Sequence, residues 1–218
     1  MGHPYWPLFD LRLRLESPGS TGGELLLRPM TEADQPALAD LLPPDVELDP
    51  AAPTYALGNP RLQRGVVCHQ AYWRGYGAWT PAHWRLSFVV LADGELVGAQ
   101  ELEGTDYVLL RTVDTASFLV PEARGMKIGK AMRAAVLTLA FSGLGAQAAI
   151  TSAWRDNEAS LGVSRSLGYR PNGEHLHARG DATDVMVHLR MTRDDWLAQP
   201  RPQVTMSGLE PCLPLFGL

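Results

Sequence analysis

The sequence predicts a mixed α/β (α+β) domain: one central β-sheet, mostly antiparallel, with helices on both faces. Three observations predict it. The chain has 218 residues, enough for one full domain and short for two. Its apolar patterning reads β-α-α-β-β-β-α-β-α-β-β. Its second half holds a strand–helix–strand unit, which calls for a right-handed parallel crossover, while hairpin turn signals make the other neighbours antiparallel.

The elements follow in chain order. Residues Leu8 to Leu15 alternate weakly and read as a short strand, and Ser17 to Gly23 as a Gly/Ser turn. Leu25 to Arg28 is a strand ended by Pro29. Thr31 caps a helix to about Leu42, with Glu32 and Asp34 where the helix dipole favours negative charge. Pro43 and Pro44 stop it, and Asp45 to Pro60 is Pro-rich loop. Arg61 to Ala78 is a helix dense in aromatics. Leu86 to Leu91 and Glu95 to Leu102 form a hairpin through Asp93-Gly94, and Val113 to Val120 is a further strand. Ile128 to Phe141 is a helix closed by Gly143 and Gly145, and Ala148 to Trp154 a buried strand. Glu158 to Leu167 is a short helix with Gly168 at its end. Tyr169 to His177 and Asp184 to Met191 pair across Arg179-Gly180-Asp181. Thr192 caps a last short helix with Asp194 and Asp195 in its first turn. The expected domain is 1–198, with 1–24 as an N-terminal extension and 199–218 as a Pro-rich C-terminal tail.

Composition narrows the function. Hydrophobic residues are 45% and charged residues 20%, ordinary globular values. The net charge of -5 argues against nucleic acid as partner. The N-terminus lacks the apolar run of a signal peptide, and no stretch of about 18 apolar residues marks a membrane span. Two distant cysteines, Cys68 and Cys212, indicate no disulfide framework. The expected location is the cytoplasm, and a homodimer stays open.

The sharpest motif lies between the strand ending Phe118-Leu119-Val120 and the helix from Ile128. It reads Arg124-Gly125-Met126-Lys127-Ile128-Gly129-Lys130. Unpaired N–H groups at a helix start, together with the dipole, favour an anion such as pyrophosphate. Gly125 and Gly129 allow close approach, and Arg124, Lys127 and Lys130 add positive charge. The bland alternative is a solvated basic helix start. The loop is no Walker motif, because Gly-Lys-Ser/Thr is absent. With two glycines, and no acidic residue ending the next strand, it is no dinucleotide loop either.

This strand, loop and Ala/Met-rich helix resemble motif A of the GNAT acyltransferase superfamily, whose pattern is Gln/Arg-x-x-Gly-x-Gly/Ala. Arg124 and Gly129 match its ends. Lys127 replaces its middle glycine, and the expectation is that its Cβ crowds the pyrophosphate. Asn157-Glu158-Ala159-Ser160, ending at Leu167-Gly168-Tyr169, resembles motif B, which flanks the pantetheine arm. The two blocks span Asp114 to Arg170, about a quarter of the chain. Leu25 to Asp34 resembles the family's opening, and Met191 to Trp196 the closing segment of its RimJ/RimL-like branch. The resemblance implies a splayed parallel strand pair and acetyl-CoA as co-substrate. It also implies CoA contacts from Phe118, Leu119 and Val120, the loop 124–130, Asn157 and Ser160, and a primary amine as acceptor.

The chemistry requires a neutral amine, a polarised thioester carbonyl and a protonated leaving thiolate. In the family a general acid stands seven residues after the helix-opening Asn, which here is Ser164; the alternative is a small polar helix residue. Five residues before that Asn, where amino-terminal acetylases often carry Glu, stands Ser152, no base at neutral pH. Asp114 and Glu101 are the remaining bases, each also readable as structural. Tyr72, Trp73 and Tyr76, with Trp79 and Trp84, read first as core, and alternatively as an acceptor wall holding an amine by cation–π contact. His175 and His177 share a strand face. No third ligand has metal-site spacing, so no metal is expected, and His175 is assigned to the acceptor cleft. Cys68 reads as a small buried hydrophobe. His3, His69, His83 and His188 carry no signal. Acetyl transfer to a protein N-terminus or small amine leads. A GNAT module that binds acyl-CoA without turnover, as sensor or structural unit, is the alternative from another class. A CoA-independent interaction domain is the third reading.

Overall fold

A computed structural model describes residues 3–18, 22–44, 46, 53 and 55–218. Parts of the expected Ser17–Gly23 turn and Asp45–Pro60 loop lie outside the described residues. The chain builds one nine-stranded sheet. Strand β1 (Arg12–Glu16) and strand β2 (Glu24–Pro29) precede helices α1 (Gln35–Leu41) and α2 (Pro60–Gly77). Strands β3 (Trp84–Ala92) and β4 (Glu95–Gly104) follow, then a one-turn helix α3 (Tyr107–Leu110), β5 (Thr112–Leu119) and α4 (Ile128–Thr138). The chain closes with β6 (Ala148–Trp154), α5 (Glu158–Ser166), β7 (Arg170–Arg179), β8 (Ala182–Thr192), α6 (Arg193–Leu197) and β9 (Thr205–Ser207).

The spatial order is β7-β8-β6-β5-β4-β3-β2-β1-β9, and β5 and β6 are parallel neighbours. Local chemistry explains the elements. Asn59 Oδ1 accepts from Arg61 N–H at 2.9 Å, and Pro60 opens α2 with its φ already set. Thr31 and Asp34 form a capping box, and Arg28 grips Asp34 with both guanidinium arms at 2.8 and 2.6 Å. At the β3–β4 hairpin, Asp93 and Gly94 have φ of 51° and 87°, the pair of positive values a tight hairpin turn demands.

Three outcomes differ from the sequence expectations, and a fourth decides between two open alternatives. Residues 7–10 form a 3-10 turn, so β1 starts only at Arg12. The helix expected to Phe141 relaxes into a π turn over Leu139–Gly143. Helix α3 has no periodic signal; Tyr107 anchors it by donating to Leu144 O at 2.8 Å. Residues 199–218, expected as a Pro-rich tail that packs or frays, pack: β9 pairs with β1, and a 3-10 turn over Glu210–Phe216 buries Cys212 and Phe216 completely.

The main core lies between the sheet and α4, and includes Leu27, Leu86, Phe88, Leu102, Val113, Met132, Val136 and Phe141. A smaller cluster of Met30, Leu38, Val89 and Ala99 seats α1 and α2 on the opposite face, against Tyr72 and Phe118. Helices therefore cover both faces, and the middle of the sheet is fixed between them.

Candidate active site

Strands β5 and β6 pair only through Thr112, Val113 and Asp114 with Ala148, Ala149 and Ile150. Beyond Asp114, β5 follows β4 as far as Leu119, while β6 follows β8 as far as Trp154. The two strands part into a V. The alternation of an antiparallel ladder decides which peptide groups face the gap. Val120 N–H donates to Val97 O at 2.9 Å, so Val120, Phe118 and Ala116 turn their peptides to β4. Ser117 and Leu119 turn theirs into the gap. On the other wall Arg155 N–H donates to Val185 O at 3.0 Å, so Ser152 and Trp154 face the gap. Of the three candidates on this strand, Leu119 turns its peptide into the gap, whereas the Val120 and Phe118 amides bond to β4. Ser117, Ser152 and Trp154 carried no signal for this role, because ladder phase is set by pairing rather than residue type.

Gly98 sets the line of β5. A Cβ there would run into Phe118 O and the Leu119 backbone, so only glycine lets the end of β5 lie this close to β4.

The expected phosphate loop sits at the open end of the V. A 3-10 turn over Pro121–Ala123 leads into it, and Gly125 and Lys127 have φ of +77° and +64°. Lys127 thus adopts the left-handed conformation of the glycine it replaces in the GNAT pattern, at a cost of about 1 kcal/mol or more. Among the described residues, no turn, loop or cap hydrogen bond uses the N–H groups of Gly125 to Gly129. Ile128 is in the core, so only its backbone is available. A Cβ on Gly129 would make ordinary contacts with Leu119 and Val163, so its smallness serves the open side of the helix start. Arg124 Nε donates to Leu119 O at 3.2 Å and Lys130 Nζ to Ser166 O at 3.0 Å. Met126 is half exposed beside them. Asn157 Oδ1 accepts from Ser160 N–H at 3.0 Å and caps α5, which fixes both candidates at that helix start. Free amides at a helix start fit a pyrophosphate, and two strand edges that turn peptide groups into the gap fit the two amides of pantetheine, although the Leu119 and Trp154 carbonyls already accept from Arg124 Nε and Asn157 N–H.

The face of the V toward α2 is acidic. Asp114 pairs in register with Glu103, and Ser87 with Glu101, so all four share this face. Arg85 forms an ion pair with Glu103 at 2.9 Å, and Ser87 Oγ donates to Glu101 at 3.1 Å. Burial raises the Glu101 pKa, partly offset by Arg85. Burial also pushes Asp114 up to about 6, against a bond from Thr115 N–H. Cys68 of α2 looks at Glu101; burial pushes its thiol pKa up.

Behind the sheet lies a group that sequence reasoning passed over. Arg133, on α4, is 3% exposed. Its guanidinium donates to Ser117 Oγ at 3.1 Å and reaches Thr151 Oγ1 at 3.4 Å, and Nε has no hydrogen-bond partner. It spans the two diverging strands. Ser164, at 1% exposure, donates its hydroxyl to Ser160 O at 2.9 Å within α5. That bond engages its proton within the helix.

The aromatic candidates separate. Tyr76 donates to Met30 O at 3.0 Å and packs among Trp6, Phe9, Tyr72 and Trp79; burial drives its pKa far up. It is core. Tyr72 packs against the cluster beneath α1 and α2. Trp73 is 52% exposed and lines a groove of about 660 Å³ between α1 and α2, with His69 and Leu62. His175 lies on the same face of the sheet as Asp114. Its Nδ1 lies 2.6 Å from His188 Nε2, and His188 Nδ1 lies 2.7 Å from Ser152 Oγ. Among the described residues, no group of three or more His, Cys, Asp or Glu is arranged to hold a metal ion, and no helix is long and apolar enough to cross a membrane.

A splayed strand pair, an amide-lined loop at a helix start and an acidic opposite face define a CoA-dependent acyltransferase scaffold. The family model of the GNAT acetyltransferase domain matches residues 24–170, and the chain belongs to that family. It is an acetyl-CoA-dependent N-acetyltransferase. Among solved structures, RimJ from Mycobacterium smegmatis in complex with CoA-disulfide shares 18% identity at a TM-score of 0.69, covering 95% of each chain. A chimera of spermidine N-acetyltransferase SpeG from Vibrio cholerae and hSSAT shares 15% identity at a TM-score of 0.62, covering 80% of this chain and 99% of its own. A SpeG mutant from Vibrio cholerae gives 15% and 0.63, over 80% and 96%.

Proposed function

We propose that the enzyme acetylates a cationic primary amine by direct attack in a ternary complex, with Asp114 as the proton acceptor. One observation carries this: Asp114 stands where β5 and β6 part, on the acidic face, with its pKa pushed up to about 6. At neutral pH such a carboxylate is ionised, yet basic enough to take a proton. Glu101 and Glu103 continue the strip along β4 and suit an ammonium group. A small polyamine-like amine and a protein N-terminal ammonium share that chemistry; the former is the SpeG acceptor class, and the location proposed for the enzyme is the cytoplasm.

When bound, acetyl-CoA supplies the activated acetyl group. Peptide groups of Ser117 and Leu119 on one wall, and of Ser152 and Trp154 on the other, would hold its pantetheine arm. The N–H groups of Gly125 to Gly129 would hold the pyrophosphate. Asp114 takes a proton from the ammonium, so the nitrogen lone pair is free to attack. Alignment by the rigid V supplies most of the remaining advantage. With the Ser164 proton engaged on α5, this reading gives Asp114, once protonated, the task of returning a proton to the leaving sulfur.

The test is free-thiol release from acetyl-CoA across a panel of primary amines, including polyamines and peptides with free N-termini, with alcohols as controls. Release with amines, reduced about 10²-fold in Asp114→Asn, is expected. Equal rates in wild type and Asp114→Asn would remove the carboxylate from the mechanism.

A further inference from the structure

Deprotonating an ammonium and acylating it removes two protons from one nitrogen. In the reading above, Asp114 accounts for one, which ends on sulfur. The other must leave the protein. On the wall opposite Asp114, three side chains form a hydrogen-bonded line from Ser152, itself exposed at the gap, through half-buried His188 to exposed His175. Ser152 is on β6, two residues beyond Ile150, the register partner of Asp114, and on the same face. Ser152 Oγ is 2.7 Å from His188 Nδ1 on β8, and His188 Nε2 is 2.6 Å from His175 Nδ1 on β7. The two imidazoles lie nearly parallel, 15° apart, with centroids at 4.6 Å.

We infer that Ser152, His188 and His175 are a proton exit relay serving the acceptor amine. The inference rests on the acetyl-transfer reading. At the start, Ser152 O–H donates to His188 Nδ1, His188 Nε2–H donates to His175 Nδ1, and His175 Nε2–H faces water. As the C–N bond forms and the C–S bond breaks, the nitrogen gives a proton to Ser152 Oγ. Ser152 passes its own proton to His188 Nδ1, His188 passes its Nε2 proton to His175 Nδ1, and His175 releases its Nε2 proton to solvent. One proton enters and one leaves, no residue stays charged, and every hydrogen bond ends with reversed polarity. The reversed line is satisfied by the same distances, so nothing has to move except protons.

The surroundings suit a neutral relay. Burial, and then the neighbouring His175, lower the His188 pKa, which favours the neutral ring. The other charged groups on these elements are mostly matched: Arg179 bonds Asp156 and Asp184 at 2.9 and 2.7 Å, and Arg155 pairs with Glu174. His177 edges against Trp154, and Arg190 is the register partner of Ile150. Asp114 faces the relay from β5.

Two measurements test it on the full-length protein. Thiol release with the best amine should show kcat down about 30-fold in His188→Ala and His175→Gln, with KM for acetyl-CoA unchanged and partial rescue by imidazole. A kcat within threefold of wild type, with an unchanged pH profile, overturns the relay. Nitrogen-15 NMR of the imidazoles reads it without turnover: a scalar coupling across the His188 Nε2–His175 Nδ1 hydrogen bond should be present, and Ser152→Ala should change the tautomer balance of both rings. Absence of that coupling overturns it even if the acceptor class proves wrong, whereas a coupled pair without thiol release would count against the acetyl-transfer reading alone.

Discussion

Arg133 Nη2 lies 3.1 Å from Ser117 Oγ, tying the helix behind the sheet to the free end of β5. The same guanidinium reaches Thr151 on β6, so one side chain bridges the V where ladder bonds stop. A buried cation with an unsatisfied Nε is expensive, and apolar replacements of buried ions are often neutral or stabilising. Arg133→Met should therefore unfold in urea within about 1 kcal/mol of wild type, or later. Its acetyl-CoA affinity should fall at least tenfold, about 1.4 kcal/mol, as the two walls lose their spacer. Calorimetry showing wild-type affinity would make the bridge irrelevant to the cofactor.

Asp114 should show opposite effects on stability and activity. Its pKa is about 6 in the fold against the ordinary 3.8, so the native state binds the extra proton. Stability from this group is full below about pH 3.8 and is lost as pH rises through 6. Above that, the ionised buried carboxylate costs about 3 kcal/mol. Asp114→Asn should melt higher than wild type at pH 7.5, with the difference gone near pH 4, while thiol release collapses. Equal melting at pH 7.5 would mean the carboxylate is better solvated than its position on β5 implies.

Lys127 should be another residue whose replacement strengthens the fold. Held at φ of +64°, it carries strain that glycine does not. Lys127→Gly should gain about 0.5–1 kcal/mol in stability. It should also weaken acetyl-CoA binding a few-fold at low salt, and less at high salt, because a fixed positive charge at the loop is lost. A salt-independent loss would point to shape rather than charge.

Gly98→Ala should act through the site's frame. The added methyl meets Phe118 O and the Leu119 backbone. The end of β5 must shift, and a loss of about 1–3 kcal/mol is expected, together with weaker acetyl-CoA binding. Unchanged melting would mean that β4 and β5 separate easily there.

Much of this was legible in the sequence because it is local. The loop between Val120 and Lys130, the Asn157 cap and the Asp93-Gly94 turn declare themselves by residue type. The family resemblance rested on the first two, together with Leu25 to Asp34 and Met191 to Trp196. Ser117, Arg133 and His188 were illegible for a common reason: each matters through strand pairing. Arg133 reads as one more charge on a helix until α4 is laid across β5 and β6. His188 is an isolated histidine until β8 sets it beside Ser152 and β7 sets His175 behind it. Ser164 illustrates the reverse. Its spacing from Asn157 is right, but α5 engages its hydroxyl on its own carbonyl. Position in sequence cannot reveal where a rotor points.

Strand β9 joins the sheet edge beside β1, some 190 residues away along the chain. During synthesis the outer side of β1 therefore stays open until the last strand has emerged. An unpaired edge is a template for other chains. Ending the chain before Thr205 would uncover that edge, and the burial of Cys212 and Phe216 would go with it. Fusions that hold the C-terminus away from the sheet should aggregate during expression while fusions at the N-terminus stay dispersed. The penalty would appear in yield, long before any assay of acetyl transfer registered it.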